Sequence, residues 1–298
     1  MKKVLVLGGS GFVGRHLCEA LNRRGIQVTV PTRRLPARSV QMLPFVTVVR
    51  ANVHDADSLR QLIAGHDAVV NLVAVLHGDE ARFEQLHVTL PTTLAQACLA
   101  AGVRRLVHVS ALGADLQGPS MYQRSKAQGE RALQSLASAQ GLNLTILRPS
   151  VIFGKDDAFI NLFAKLQKVF PLMPLAGAHT RFQPVSVQDV ARALMATLDN
   201  PRTAGQVYEL GGPEVLTLAQ LVQHAGRWAG CERPIFPLPH AVAYLQALAM
   251  EWAPGEPLMS RDNLASMQTD NVLSGGLPGL AELGLGRGES LRTAFPLT

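Results

Sequence analysis

The chain has 298 residues, of which 47% are hydrophobic and 17% are charged. This composition excludes an intrinsically disordered protein, and the length is sufficient for one large domain or two ordinary ones. The net charge is +6 without any run of five basic residues, so we expect no nucleic-acid partner. Cys18, Cys98 and Cys231 form no disulfide or metal-binding pattern and indicate a reducing compartment.

Short apolar runs alternate with helical patterns over the first half of the chain. The pattern predicts strands at 3–7, 26–30, 45–49, 68–73, 105–109 and 144–147, and helices at 12–24, 57–64, 80–101 (with a kink at Pro91) and 122–140. This alternation predicts an α/β fold, a doubly wound parallel sheet of the Rossmann type. Later helices are predicted at 157–169, 187–198, 217–229 and 240–250, with a strand at 206–210. We expect a nucleotide-binding domain in residues 1–150 and a smaller C-terminal lobe in residues 151–298, threaded around it.

The first predicted strand leads directly into a glycine-rich segment that opens the first helix. Gly8 allows a tight turn, Gly11 lets backbone approach a pyrophosphate, and Gly14 allows close packing of helix and strand. The free N–H groups and the positive dipole end of the helix N-terminus then favour an anion. The segment therefore predicts a dinucleotide site made by Gly8, Ser10, Gly11, Phe12, Val13 and Gly14.

The end of the second strand predicts which nicotinamide cofactor binds. An acidic residue there would hold the ribose 2′-hydroxyl of NAD, but this strand is followed by Arg33 and Arg34. A guanidinium pairs with phosphate through two hydrogen bonds. The two arginines therefore favour NADP(H) over NAD(H), unless both are only solvated loop residues.

A second motif begins the helix after the fifth predicted strand. Tyr122 and Lys126 are four residues apart and so share one helical face. An ammonium group near a phenol lowers the phenol pKa from about 10 toward neutrality. Tyr122 would then exchange a proton with a substrate carbonyl or alcohol while a hydride moves. We predict that both residues are catalytic and contact the cofactor.

These motifs, with their GxxGxxG spacing and the segments 147–150 (LRPS) and 183–190 (QPVSVQDV), resemble the extended, atypical branch of the short-chain dehydrogenase/reductase superfamily. The segments HVSALGADLQGPSMYQRSKAQGE and PSVIFGKDDAFINLFAKL look like the subgroup that contains the NADPH-binding accessory subunit of mitochondrial respiratory complex I. The likeness covers nearly the whole chain. In that subgroup the nucleotide is regarded as largely structural, and stand-alone bacterial members are usually described as NAD-dependent epimerase/dehydratase-like.

The resemblance implies further site residues. Lys126 would also bind the nicotinamide ribose, and active relatives carry a Ser or Thr just past the fifth strand, within reach of the tyrosine hydroxyl. Ser110 has close to the required spacing, but Ala111 and Leu112 occupy the following positions. Either Ser110 completes the triad and contacts the cofactor, or the triad is damaged. Further cofactor contacts are expected from Asn52, Val53, Val73, Ala74, Pro149 and Val151.

Two functions therefore compete. The first is an NADP(H)-dependent reductase or epimerase acting on an unknown small-molecule substrate. The second is a catalytically weak or inactive NADPH-binding accessory or sensor protein that contacts a protein or membrane partner. The apolar stretch 242–252 fits a membrane-surface face or, more simply, a helix packed on the core. We expect no metal site, because the histidines have no ligand spacing, and a cytoplasmic location, with a peripheral position at the inner membrane face as an option.

Overall fold

The computed structural model describes residues 1–33, 35–253, 255 and 257–296. Arg34, one of the two arginines predicted to hold a 2′-phosphate, lies outside the described residues. The strands are β1 (Lys3–Leu7), β2 (Gln27–Thr32), β3 (Val46–Arg50), β4 (Ala68–Asn71), β5 (Arg105–Val109), β6 (Asn143–Pro149), β7 (Ile152–Phe153), β8 (Met173–Leu175), β9 (Arg181–Phe182), β10 (Val185–Ser186), β11 (Val207–Leu210), β12 (Leu216–Thr217) and β13 (Ile235–Pro237).

Helices separate most of these strands. The helices are α1 (Phe12–Arg23), α2 (Arg38–Gln41), α3 (Ala56–Ile63), α4 (Glu80–Phe83), α5 (Leu90–Ala100), α6 (Met121–Gln140), α7 (Ile160–Val169), α8 (Val187–Asp199), α9 (Leu218–Trp228), α10 (His240–Glu251), α11 (Arg261–Ser266) and α12 (Leu291–Ala294). A π-helical segment (Glu84–Thr89) joins α4 to α5, and a short 3₁₀ helix (Pro201–Thr203) precedes β11.

Seven of the described strands form one parallel sheet in the order β11-β6-β5-β4-β1-β2-β3. From β1 the chain builds outward through β2 and β3, and then returns to start β4 on the other side of β1. The strand order therefore reverses between β1 and β4, and loops at the carboxyl ends of these two strands diverge and leave a crevice. This topology confirms the predicted doubly wound α/β fold. Strand β11, from beyond residue 150, completes one edge of the sheet.

The central strand β1 is buried on both faces of the sheet, and its successive side chains point to opposite sides. Val4 and Val6 of β1 pack into one hydrophobic core with helices α1 and α8. Leu5 and Leu7 of the same strand pack into a second core with α3, α5 and α6. The four residues Val4–Leu7 of β1 are therefore buried. The central strand is thus held rigidly, and with it the loop that follows.

The predicted helix 80–101 is divided into three consecutive parts, and the irregular part ends directly before the turn that contains Pro91. The irregular part is the π-helical segment Glu84–Thr89, and Pro91 lies in the first turn of α5. Pro91 has no N–H to donate to the carbonyl oxygen four residues earlier, which fits a distortion of the helix just before it. Such π-helical distortions occur often at functional sites.

Residues after β6 form a third core from α7, α9 and aromatic side chains, including Trp228, whose ring lies 4.7 Å from that of Phe295.

Helix α10 is more exposed than these helices. Only its Ala243 and Ala247 are buried, while Leu245 and the following Trp252 are 64% and 82% exposed. The stretch therefore packs on neighbouring segments of the chain through Ala243 and Ala247 and leaves an apolar face exposed on its other side. None of the helices in the described ranges combines the length and apolarity required to cross a membrane.

Helix α6 crosses the π-helical segment at Gly129. A Cβ atom at this position would lie 1.9 Å from the carbonyl oxygen of His87 and 3.0 Å from its carbonyl carbon. No side chain fits into that distance, so glycine is what permits the two backbones to touch. This contact sets how closely the helix that carries Tyr122 and Lys126 approaches the segment after β4.

We expect Gly129→Ala to destabilise the protein by about 1–3 kcal/mol, the usual cost of overpacking a tight contact. This cost outweighs the roughly 1 kcal/mol that alanine gains over glycine in a helix interior. Urea unfolding followed by circular dichroism measures the difference. Gln128→Ala, at the exposed neighbouring position of α6, is the control and should change stability by less than about 0.5 kcal/mol. A stabilised Gly129→Ala variant would contradict the close crossing.

Candidate functional site

The loop between β1 and α1 has the geometry of an anion cradle. Gly8 adopts φ +78°, a backbone conformation that favours glycine, and its carbonyl oxygen accepts the N–H of Gly11 at 3.0 Å. A Cβ at Gly14 would lie 2.2 Å from that same oxygen. The start of α1 therefore lies directly against the loop backbone, as the glycine spacing predicts.

The first turn of α1 offers unpaired donors to this cradle. Gly11 is the N-cap residue, no described side chain caps the helix, and its first turn contains no acidic residue. The N–H groups of Phe12, Val13 and Gly14 precede the first intrahelical bond, which Arg15 makes to the carbonyl oxygen of Gly11 at 3.0 Å. The unpaired N–H groups and the positive end of the helix dipole therefore lie together at the N-terminus of α1. Such an arrangement is a binding site for a phosphate group.

Basic residues lie next to the cradle. Arg33 is exposed and directly follows β2, the parallel neighbour of β1. Helix α2 comes close as well, since the Ser39 hydroxyl donates to the carbonyl oxygen of Ser10, which is itself an exposed residue, at 3.2 Å. Arg38, at the start of α2, is exposed too. The structure thus brings Arg33, Ser10 and the glycine loop to one edge of the sheet.

The residues expected after β3 and β4 lie at the same edge. Asn52 is exposed, and its carboxamide oxygen accepts the N–H of His54 at 3.1 Å, so this side chain partly serves the local turn. Val53 and Val73 are partly buried and pack on the second core, and Ala74 is exposed. Val53, Val73 and Ala74 therefore form an apolar side of the crevice. The exposed carboxamide of Asn52 lies next to them.

Tyr122 and Lys126 lie in the first two turns of α6. The Lys126 ammonium is 2% exposed and donates to the carbonyl oxygen of Val109, the last residue of β5, at 3.1 Å. Burial lowers the pKa of Lys126 to about 8, and the Glu130 carboxylate one turn away opposes part of that shift. Glu130 in turn accepts three hydrogen bonds from the guanidinium of Arg148, the shortest at 2.6 Å.

Tyr122 does not have the lowered pKa that the sequence spacing predicts. Its phenol is partly buried, and desolvation raises the pKa of Tyr122 to about 12. The ammonium of Lys126 is directed instead to the carbonyl oxygen of Val109. Desolvation is the cause of the Tyr122 shift in this arrangement, so the lowering expected from the Tyr122–Lys126 spacing is not seen in it.

Ser110 is buried at 5% exposed, and its N–H donates to the carbonyl oxygen of Leu147 at 2.7 Å. Its hydroxyl has no hydrogen-bond partner among the described residues, which is unusual for a buried polar atom. A ligand hydroxyl or amide in the crevice would satisfy it. Ala111 and Leu112 are buried as well, and neither has a hydroxyl to add.

Pro149 and Val151 flank this turn from the end of β6. The carbonyl oxygen of Pro149 accepts the N–H of Leu112 at 2.9 Å, and that of Val151 accepts the N–H of Val185 at 3.0 Å. Pro149 is buried and Val151 is partly buried. The turn that carries Ser110 is therefore tied to the chain after β6. No three histidine, cysteine or acidic side chains within the described ranges form a metal-binding group.

Two residues of the C-terminal segment support the site and were missed by the sequence reasoning. Asp262 accepts the N–H groups of Met121 and Tyr122 at 2.6 and 3.1 Å and so caps α6. The Asn271 carboxamide donates to the carbonyl oxygen of Leu112 at 3.1 Å and accepts from the Ser150 hydroxyl at 2.6 Å. Contacts across 140 residues of sequence leave no local pattern by which they could be found.

His87 is a third residue that sequence reasoning missed. It lies at the centre of the π-helical segment, is 1% exposed, and its ring packs edge-on against the ring of Tyr122 at 5.5 Å. Burial and the positive charge of Lys126 lower the pKa of His87 to about 3, so the imidazole is neutral. An isolated histidine in a helical pattern gives no sign of this placement.

Comparison with known proteins identifies relatives over most of the chain. Subunit 9 of the mitochondrial NADH dehydrogenase (ubiquinone) 1 alpha subcomplex of Mus musculus is 32% identical over 290 residues, covering 94% of this chain and 75% of the relative. The mitochondrial NADH-ubiquinone oxidoreductase 40 kDa subunit of Neurospora crassa is 27% identical over 285 residues, covering 94% of this chain and 74% of that one. Both support the resemblance to the complex I accessory subgroup.

Solved structures match the fold. The dTDP-glucose 4,6-dehydratase DesIV of Streptomyces venezuelae, with NAD and TYD bound, has a TM-score of 0.78 and 23% identity over 98% of this chain and 94% of its own. The Thermus thermophilus UDP-glucose 4-epimerase in complex with NAD gives 0.73 and 20%, over 99% and 97%. The family model of the NAD dependent epimerase/dehydratase family matches residues 4–211. The chain therefore belongs to the NAD dependent epimerase/dehydratase family.

Proposed function

We propose that this protein binds NADP(H) across the carboxyl ends of β1 and β4. The observation that carries the proposal is the uncapped first turn of α1, which lies against a loop so tight that a Cβ at Gly14 would be 2.2 Å from the Gly8 carbonyl oxygen. A pyrophosphate fits such a site, since it needs bare backbone N–H groups and no side chain in the way. The nucleotide domain would comprise residues 1–150, with residues 151–298 as the dependent lobe.

Charge supports the choice of NADP(H) over NAD(H). No acidic residue occurs between Glu19 and Asp55, whereas Arg33, Arg34 and Arg38 all follow β2. An NAD site would use a carboxylate at this strand end to bind the ribose 2′-hydroxyl. A guanidinium at this strand end attracts a 2′-phosphate and can pair with it through two hydrogen bonds. The rest of the bound nucleotide would contact residues that follow β3, β4 and β6: Asn52, Val53, Val73, Ala74, Pro149 and Val151.

The cofactor, when bound, would supply or accept a hydride at its nicotinamide. Lys126 would bind the nicotinamide ribose, and the Ser110 hydroxyl, which lacks a partner among the described residues, would bind a nearby polar group. Tyr122 would hold the exchangeable proton in a reductase or epimerase reaction. With a pKa of about 12 it is a protonated phenol at neutral pH, the form that donates a proton when a carbonyl is reduced.

A second candidate function, that of an accessory protein whose bound nucleotide is largely structural, is supported by two observations. The positions after Ser110 hold buried Ala111 and Leu112, and the exposed face of α10 gives the C-terminal lobe an apolar surface (Val242, Tyr244, Leu245 and Trp252). Exposed apolar patches mark interaction sites. We propose a protein partner for this surface because relatives are named as subunits of a larger complex. A cytoplasmic location, peripheral to the inner membrane face, is part of this proposal and fits the free cysteines.

Arg33→Ala and Arg34→Ala should each weaken NADPH binding roughly 10-fold or more, the order of one lost charge-assisted hydrogen bond, and leave NADH binding unchanged. Calorimetric titration of each protein with both nucleotides measures the two dissociation constants. Arg23→Ala, an exposed arginine at the other end of α1, is the matched control. Equal affinity of the parent protein for NADPH and NADH would contradict the phosphate assignment.

Tyr122→Phe should bind NADPH within about threefold of the parent, because the phenyl ring keeps its packing, and should lose all carbonyl-dependent NADPH oxidation. Absorbance at the nicotinamide band, recorded against a panel of aldehydes and ketones, gives the rates. A parent protein that binds NADPH tightly but oxidises it with no carbonyl would favour the accessory function. Turnover that survives in Tyr122→Phe would contradict the role of Tyr122.

Leu245→Glu should prevent comigration of the protein with NADH dehydrogenase activity on native gels of its own cells, because a buried carboxylate in an apolar interface is costly. Ser138→Glu, which adds the same charge on the exposed end of α6, should comigrate like the parent. Binding of the purified parent to phosphatidylglycerol vesicles, lost in Leu245→Glu, would instead assign the surface to a membrane.

A further inference from the structure

The π-helical segment Glu84–Thr89 places one side chain between the two halves of the site. His87 projects from this segment toward α6, and its backbone carbonyl touches that helix at Gly129. A regular α-helix over the same residues would advance the chain differently and rotate His87 to another direction. The distortion therefore selects where the imidazole lies.

Both ring nitrogens of His87 are hydrogen-bonded, each to a different element. The N–H of Val75, four residues past the end of β4, donates to Nε2 at 3.2 Å. Nδ1 therefore carries the proton, and it faces the Ser125 hydroxyl on α6 at 2.9 Å. That hydroxyl donates to the carbonyl oxygen of Tyr122 at 2.9 Å. One continuous chain of hydrogen bonds thus runs from the segment after β4 to the start of α6.

Aromatic contacts hold the same geometry. The His87 ring stacks on Phe83 with centroids 5.3 Å apart and meets Tyr122 at 84°. Phe83 also contacts the Tyr122 ring at 6.1 Å. The tyrosine ring is therefore packed by two rings from α4 and the π-helical segment. A neutral imidazole is compatible with the buried Lys126 ammonium nearby, whereas a charged one would repel it.

We infer that His87 is a positioning residue that fixes the spacing between the segment after β4, where Val73 and Ala74 would line the nucleotide, and the Tyr122–Lys126 pair on α6. The inference rests on the proposed function, because it assumes that both elements contact one bound nucleotide. Its link to Val75 holds the nucleotide-lining backbone, and its links to Ser125 and Tyr122 hold the helix. Neither link requires His87 to touch the nucleotide.

His87→Phe tests this inference in the intact protein. Phenylalanine preserves the ring contacts with Phe83 and Tyr122 but removes both hydrogen bonds, so the N–H of Val75 loses its acceptor. We expect NADPH affinity to fall about tenfold, as for an unsatisfied buried group. His87→Gln can place a carboxamide oxygen close to the position of Nε2 and should recover most of that affinity. Calorimetric titration with NADPH well below the unfolding temperature measures all three proteins.

His66→Phe is the matched control. His66 is also a buried histidine with both ring nitrogens hydrogen-bonded, to the Ile63 carbonyl oxygen at 3.2 Å and the Thr29 hydroxyl at 2.8 Å, and neither partner belongs to the proposed site. Its loss should lower the unfolding temperature by a similar amount and leave NADPH affinity within about twofold. This separates positioning from general stability.

The outcomes distinguish the inference from the proposed function. A parent protein that binds no NADPH removes the proposed function and the inference with it. A parent that binds NADPH with the same affinity as His87→Phe overturns the inference alone, as does an equal loss in His66→Phe. If His87→Phe does not fold, Ser125→Ala, which keeps the Val75–His87 bond and removes both hydrogen bonds of the Ser125 hydroxyl, should weaken NADPH binding about threefold. Unchanged affinity in that variant also overturns the inference.

Discussion

The close approach of helix α1 to the loop that precedes it is the contact on which the site depends. The backbone of Gly14 lies against the Gly8 carbonyl oxygen. A Cβ atom at Gly14 would be 2.2 Å from that oxygen, which is too close for any side chain. That contact directs the first-turn N–H groups of α1 into the crevice between β1 and β4. The crevice exists because the strand order reverses there. Backbone contact and sheet topology together make the anion site, and no side chain is needed to form it.

The second half of the site is a buried cation in a prepared environment. The Lys126 ammonium donates to the Val109 carbonyl oxygen, and the charge of the Glu130 carboxylate, which is itself paired with Arg148, acts on it from one helical turn away. A lone buried ammonium would be costly, and this arrangement offsets the cost only in part, since the pKa of Lys126 is still lowered to about 8. The same burial that prepares Lys126 raises the pKa of Tyr122. The structure therefore favours nucleotide binding more clearly than proton transfer.

Elements far apart in sequence hold these two halves in place. The C-terminal segment supplies Asp262 to the start of α6 and Asn271 to the turn after β5. The π-helical segment supplies His87, which links the segment after β4 to α6. The chain after residue 150 is thus part of the support of the site. Helix α10 of the same part of the chain leaves an apolar face exposed. A partner bound to this face of α10 would lie close in sequence to Asp262. Asp262 caps the start of α6, the helix that carries Tyr122.

The sequence by itself determined the fold class, the glycine loop and the helix that carries Tyr122 and Lys126, because hydrophobic period and glycine spacing are local and each has a direct physical meaning. It did not determine the pKa of Tyr122, since spacing reveals a neighbouring charge but not the depth of burial. It also gave no sign of the caps and bridges from Asp262, Asn271 and His87, and it left open whether the apolar stretch of α10 packs on the core or faces outward. Those features were decided by the tertiary structure alone, because they depend on which distant backbone groups and apolar surfaces meet when the chain closes.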